Sequence, residues 1–272
     1  MGVAGRMIEL VDVRLDHPRG GTPLVSDGNL KVARGDVALV VGAAGVGTSR
    51  MVAAALGEYA MSAGRIEVLG HDVSKLRRSS LRLLRRKVGI VPQDLCLLED
   101  RSAQVNVALP LEIDGIPRSI SIMRSIEILA KLGLEDEASL PIDCLSIAAR
   151  QRVAVARALV REPELVIADH PTMWQDAAGA ELVCAALADI AATGAAVLVF
   201  GRDHALRTIA ERRHWRQLAL IDGTLKPLGE VLLDGRSIEE LLLGMESVPQ
   251  KQLESIPNLV PFPLSARTAG VA

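Results

Sequence analysis

Cysteine is scarce in this sequence. There are three in 272 residues, Cys96, Cys144 and Cys184, scattered and without C-x-x-C spacing. That excludes a disulfide framework and a thiolate zinc site, and it fits a reducing compartment. The five histidines show no ligand spacing either. Excess charge of one sign is also missing: 31 Lys and Arg against 33 Asp and Glu leave a formal net charge of −2. The electrostatic footprint of a nucleic-acid binder is therefore lacking, and no nucleic-acid partner is expected. The first residues, "MGVAGRMIEL", lack the apolar run of a signal peptide, and Arg6 breaks the myristoylation pattern. The longest apolar stretch, about 182–200, is interrupted by Asp189 and by Thr193-Gly194, which is too short a run to cross a bilayer. A soluble, cytosolic protein without internal repeats is expected.

What the chain does have is apolar residues, nearly half of the total, enough for one large α/β core or a core with a subdomain. "MIELVDVRL", "LKVA" and "DVALVVG" read as strands between residues 7 and 41, and "GRIEVLGHDV" reads as a further hairpin. "RMVAAALGEYAMS" (50–62) reads as a helix. "LRRSSLRLLRRK" (76–87) reads as a basic amphipathic helix, either a solvated face or a lipid-binding patch. Residues 101–144 look helical with loops. "ELVIAD" (164–169) is an apolar run ending in Asp, as a buried parallel strand does. A helix at 177–192 and the strand "AAVLVF" repeat the unit, and this alternation predicts a mostly parallel sheet. Beyond Leu225 come "GEVLL", a short helix near 237–246 and a proline-rich tail from Pro249, read as extended.

"VGAAGVGTSR" (41–50) carries the chemistry. Gly42, Gly45 and Gly47 have the spacing of a phosphate-binding loop, G-x-x-x-x-G-K-S/T, between a strand and a helix. Thr48 stands at the lysine and Ser49 follows it. Further on, "VGIVPQD" ends a strand with Gln93, and "CLSIAARQRVAVARALVREPELVIADHPT" runs from 144 to 172.

With these motifs in this order, the sequence resembles the ATP-binding-cassette (ABC) ATPases, whose signature reads L-S-G-G-Q/E-Q-Q-R-V-A-I-A-R-A-L before a strand and D-E-P-T. "LLEDRSAQVNVALPLEIDG" (97–115) looks most like the FtsE type, the cell-division ATPases that pair with FtsX. The resemblance covers about 7–225. It implies a P-loop NTPase (RecA-like) core, an N-terminal antiparallel β subdomain and an inserted helical subdomain at about 95–160. The cassette-like domain would be 1–228, with 229–272 an extension. It also implies ATP and Mg²⁺ as ligands, and a membrane subunit (FtsX-like or permease) as partner. A homodimer, or a heterodimer with an intact paralogue, would sit peripherally at the inner face of the bacterial plasma membrane.

On that resemblance, several site positions are altered. Ser49, Gln93 and Asp169 fall where Mg²⁺ is held. Thr48 supplies no charge to the phosphates, and losing a charge-assisted hydrogen bond of about 1.5–3 kcal/mol weakens binding about ten- to a hundredfold. Arg50 either compensates or is a helix-surface arginine. His170 occupies the place of the glutamate that polarises water, as a base or as a satisfied, non-catalytic histidine. Loss of a general base costs about 10²–10⁴-fold. Arg202 stands at the switch histidine, reaching a γ-phosphate or plugging an empty site. Ser146 is retained at the signature and is expected to cap its helix, while Ile147 and Ala148 replace the glycines. His17 falls near the adenine-stacking aromatic, and Asp176 at the D-loop. The expectation is an FtsE-like pseudo-ATPase acting as scaffold or regulator. The alternatives are a slow but genuine transporter ATPase and an adaptor detached from transport.

Overall fold

The computed structural model describes residues 5–233. In chain order the elements are β1 (Arg6–Leu15), β2 (Val25–Ala33), β3 (Val37–Gly42), α1 (Thr48–Ala55), β4 (Ala63–Val68), β5 (His71–Asp72), α2 (Arg78–Arg86), β6 (Val88–Val91), α3 (Ala103–Ile113) and α4 (Arg118–Lys131). They continue with α5 (Ile147–Leu159), β7 (Leu165–Asp169), α6 (Ala177–Ala192), β8 (Ala196–Phe200), α7 (His204–Arg212), β9 (Arg216–Ile221), β10 (Thr224–Pro227) and α8 (Leu228–Leu233).

The strands form one ten-stranded sheet in the order β5-β4-β1-β2-β10-β9-β3-β8-β7-β6. From β9 through β3, β8 and β7 to β6 all neighbours are parallel. β1, β2, β4 and β5 pair antiparallel. β7 and β8 are buried at every residue, which explains their unbroken apolar runs: both faces are covered by helices. This is a mixed α/β fold, with the antiparallel part at the N-terminal side and α3 and α4 lying between β6 and β7 in the chain.

Two large clusters of buried side chains lie on opposite faces of the parallel strands. Leu39 and Val41 of β3 enter the cluster that contains α3–α6, whereas Ala38 and Val40 enter the one that contains α1, α2 and the antiparallel strands. The period-two alternation of a strand thus divides β3 between two cores.

The helix expected over 50–62 is shorter. α1 starts at Thr48 and ends at Ala55, because Gly57 takes φ +67 and the Leu81 side chain packs where its Cβ would be. The hairpin in "GRIEVLGHDV" is present, its turn made by Leu69 and Gly70, both at positive φ, as a twist-matched two-residue turn requires. "GEVLL" lies within α8. The helix near 237–246 and the tail from Pro249 fall outside the described residues.

Candidate functional site

The C-terminal ends of β3, β7 and β8 and the start of α1 meet at one edge of the parallel sheet. At this edge of an open α/β sheet, loops are free to carry a ligand. Gly42 closes β3 with no room for a side chain: a Cβ there would lie 2.8 Å from Val46 Cγ2 and 3.2 Å from Thr48 Cγ2. Gly47 is the N-cap of α1 at φ 114, and a Cβ on it would meet Leu24 Cβ at 2.9 Å. Gly45, at φ +82, has open space around it. The loop therefore keeps the shape of a phosphate cradle. No side chain caps α1, so the amides of its first turn remain free to donate to an anion, with the positive end of the helix behind them.

An open cavity of about 630 Å³ adjoins this cradle, lined by His17, Arg19, Leu24, Gly47, Ser49 and Arg50 among others. His17 is held by its turn, its Nδ1 accepting from the Arg19 amide at 3.1 Å. Arg50 is exposed, with its guanidinium 5.0 Å from the Tyr59 ring centre. Tyr59 in turn donates to the Asp16 carbonyl at 2.6 Å. Thr48 is buried beneath the cradle.

Asp169 ends β7 as a buried carboxylate. Its Oδ1 has no hydrogen-bond partner among the described residues. Burial pushes its pKa up, while the Ser49 hydroxyl and His170 pull it back down. His170 follows at φ 53, a left-handed conformation uncommon for a histidine. Its Nε2 lies 4.0 Å from Asp169 Oδ1 and its side chain is 13% exposed. Burial holds the imidazole below its usual pKa, Asp169 acts against that, and Arg202 reinforces it. At neutral pH this group is an uncharged imidazole where the resemblance calls for an anion. Arg202 itself is exposed.

Gln93 is exposed in the turn after β6. Ser146 caps α5, accepting from the Ala149 amide at 3.1 Å, with the neighbouring Ile147 47% exposed. Asp176 caps α6 through the Gly179 amide at 2.7 Å. Of the sequence-picked residues, the structure brings together the glycine loop, Thr48, Ser49, Arg50 and His17 on one side, and Asp169, His170 and Arg202 on the other. Ser49 links the two groups through Asp169.

Sequence reading missed four residues that hold this frame. Gln151, buried in α5, donates to the His170 carbonyl at 2.8 Å, and its Oε1 accepts from the Trp174 amide and from Gln175 Nε2 at 3.0 Å each. Asp203 accepts from Thr172 Oγ1 at 2.8 Å and caps α7 through the Leu206 amide. Arg157 of α5 donates to the carbonyls of Leu95 and Cys96, both at positive φ, and fixes the loop after Gln93. Asn106, 1% exposed, closes that loop against Leu98 with bonds of 2.8 and 3.0 Å. The polar character of Gln151 and Asn106 within otherwise apolar helix faces is the signal that could have found them.

A divalent cation and phosphates fit this chemistry. A buried carboxylate oxygen without a partner beside a serine hydroxyl is an oxygen donor set of the kind Mg²⁺ takes. Among the described residues no group of three or more His, Cys, Asp or Glu could hold a metal, so the remaining ligands would come from phosphates and water. Bound there, Mg²⁺ supplies positive charge to the phosphate oxygens. The residues that would hold such ligands are the loop amides, the Ser49 hydroxyl and the carboxylate of Asp169.

Fold and site together define a P-loop cassette of the nucleotide-binding kind. The sequence model of the family described as ABC transporter matches residues 25–173, and the chain belongs to that family. It is 35% identical over 208 residues to the methionine import ATP-binding protein MetN of Brucella abortus (strain 2308), covering 76% of this chain and 56% of that protein. It is 30% identical over 262 residues to MetN of Mesorhizobium japonicum, covering 94% and 70%. The chain thus spans little more than half the length of the first of these relatives. Among solved structures, a dimeric ATP-binding cassette in a post-hydrolysis state bound to ADP and Pi superimposes with a TM-score of 0.73 at 27% identity, covering 81% of this chain and 97% of that one. A subunit of the cbiONQ transporter complex of Clostridium perfringens, at 23% identity and a TM-score of 0.70, shares the fold. These relatives do not support the FtsE-like, cell-division assignment drawn from residues 97–115; the two MetN proteins are named as methionine import ATP-binding proteins.

Proposed function

We propose that this chain is the nucleotide-binding subunit of an ABC transporter. It docks on a membrane permease at the inner face of the membrane, binds ATP with Mg²⁺ weakly and hydrolyses it slowly. The importer names of its relatives support a transport permease, rather than an FtsX-like protein, as the partner. No described helix is long and apolar enough to cross a membrane itself. The observation that carries the nucleotide half of the reading is the retained cradle. Gly42 and Gly47 are locked by packing, the first turn of α1 is uncapped, and Asp169 keeps an unpartnered oxygen beside Ser49.

The rate half rests on the two altered positions. Thr48 places a methyl group, not an ammonium, under the cradle. The neutral, half-buried His170 offers no negative charge to polarise a water molecule. Charge neutralisation and base catalysis are therefore both reduced while phosphate positioning is kept.

The test is equilibrium ATP binding with and without Mg²⁺, followed by steady-state turnover of the purified chain alone and with a permease. Mg²⁺-dependent binding with turnover at least about a hundredfold below an intact cassette, abolished by Asp169→Asn, is expected. Turnover equal to an intact cassette overturns the slow reading. Failure to bind ATP at millimolar concentration overturns the nucleotide reading and leaves the pseudo-ATPase scaffold.

A further inference from the structure

The helix α2 is electrostatically frustrated, and the nucleotide site does not explain it. Its nine residues, RSSLRLLRR, start with Arg78 in the first turn, where the helix dipole disfavours a cation, and no acidic residue is there to offset it. Arg78, Arg82 and Arg86 then recur every fourth residue, a like-charge spacing that destabilises a helix. All three are exposed and, together with Arg77, have side chains without an ion-pair or hydrogen-bond partner among the described residues. Only Arg85 is engaged, through the Leu56 carbonyl at 2.9 Å and Glu58 at 3.5 Å. At about 100° per residue, Arg78, Arg82, Arg85 and Arg86 fall within an arc of roughly 100°.

About 60° beyond Arg86 stands Leu83, 63% exposed, the most exposed large apolar side chain among the described residues. Leu81 and Leu84, centred about 120° round the helix from the middle of the arc, are buried in the core, so α2 is anchored with its arginines and Leu83 outward. The arginine face also borders an open cavity of about 470 Å³ between Gly57 and Arg78, Arg82 and Arg85. This cavity lies at the far end of α1 from the phosphate cradle. The whole chain carries a net charge of −2, so the cluster is a local feature and not a consequence of composition.

We propose that the outer face of α2 binds an anionic lipid surface, with the arginines on headgroup phosphates and Leu83 entering the interface. Charge complementarity selects an anionic partner, and an uncovered leucine flanking the arginines favours a bilayer over a soluble anion. This inference goes beyond the transporter reading and depends on neither nucleotide nor permease.

The test is co-sedimentation of the full chain with phosphatidylcholine vesicles containing 0, 20 or 40% phosphatidylserine, without nucleotide or permease. Binding should rise with phosphatidylserine and fall with salt. The variant Arg78→Gln/Arg82→Gln/Arg86→Gln should lose about a hundredfold in affinity, at roughly fivefold per arginine. Its melting temperature should be unchanged or higher, since only unpaired, mutually repelling charges are removed. A control with the same charge change elsewhere, Arg124→Gln/Lys131→Gln/Lys226→Gln, should bind like the parent. Binding that ignores phosphatidylserine, or an equal loss in the control, overturns the proposal. Protection of α2 by inorganic pyrophosphate without vesicle binding overturns it in favour of a soluble anion. Because nucleotide is absent throughout, none of these outcomes bears on the proposed ATPase.

Discussion

Gln151 and His170 are joined by one hydrogen bond: Gln151 Nε2 donates to the His170 backbone carbonyl at 2.8 Å, across from α5 to the end of β7. The other end of the same amide accepts from the Trp174 amide and from Gln175, so a single buried side chain fixes the turn that follows Asp169. The helix that Ser146 caps is thereby tied to the turn that follows Asp169.

Replacing that amide with an apolar side chain tests its weight. Gln151→Leu leaves the His170 carbonyl and the Trp174 amide without their partner, at a cost of about 2–3 kcal/mol. For a chain of this size the melting temperature should fall by roughly 5–10 °C in a thermal denaturation series. A fall of under 2 °C would mean that the turn is held by other contacts.

Thr48→Lys should restore the missing charge. The loop glycines are already in the geometry a phosphate requires, so ATP affinity should rise about ten- to a hundredfold by calorimetry. No gain would show that the cradle, though shaped for phosphate, is blocked by the buried packing of residue 48.

The guanidinium of Arg50 lies 5.0 Å from the Tyr59 ring centre, and we propose from this contact that Arg50 is a helix-surface arginine and not a substitute for the missing lysine. Arg50→Ala should cost about 0.5–1 kcal/mol of stability, the worth of an exposed cation–π contact. ATP affinity should change by less than about threefold, because no displaced lysine function is removed. A tenfold loss of affinity would reinstate Arg50 as the substitute charge.

The pair at the end of β7 predicts how stability responds to acid. Burial holds His170 below its usual 6.5, so the folded state takes up that proton less readily than the unfolded chain. The stability of the neutral imidazole is complete above pH 6.5 and is lost as pH falls through 6.5 towards the folded value. His170→Asn, a residue that tolerates the φ of 53, should flatten the melting-temperature profile between pH 7 and 5. Parallel profiles for parent and variant would refute it.

Asp169 has the opposite sign. Burial raises its pKa above 3.8, so the ionised carboxylate is a cost that persists above the folded value and is relieved only in acid. Asp169→Asn should therefore raise stability at pH 7 by about 1 kcal/mol while removing any Mg²⁺-dependent ATP binding. A variant both less stable and unaltered in binding would remove Asp169 from the site.

Much of this was legible in the sequence because it is local. The apolar runs of β3, β7 and β8 announced buried parallel strands, since only a strand covered on both faces has no polar register. The glycines at 42, 45 and 47 announced the cradle, since few other residues tolerate the space and the φ values found there. The order of motifs announced the family.

What the sequence left open needed three-dimensional contact. α1 stops at Ala55, not near 62, because Leu81 from α2 fills the space beside Gly57, a meeting that no local pattern encodes. Residues 97–115 suggested an FtsE-like protein, which the MetN relatives do not support, and the role of Asn106 in closing the loop on Leu98 was not visible in that stretch. The neighbour of Arg50 was not legible either: Tyr59, nine positions on, lies under its guanidinium. The state of the site was decided the same way. His170 is neutral because the fold buries it, and Asp169 keeps an unpartnered oxygen because β7 ends inside the protein. Residue type and spacing determine which groups reach the edge of a sheet, whereas burial and the neighbours brought from distant segments determine their charge and their partners.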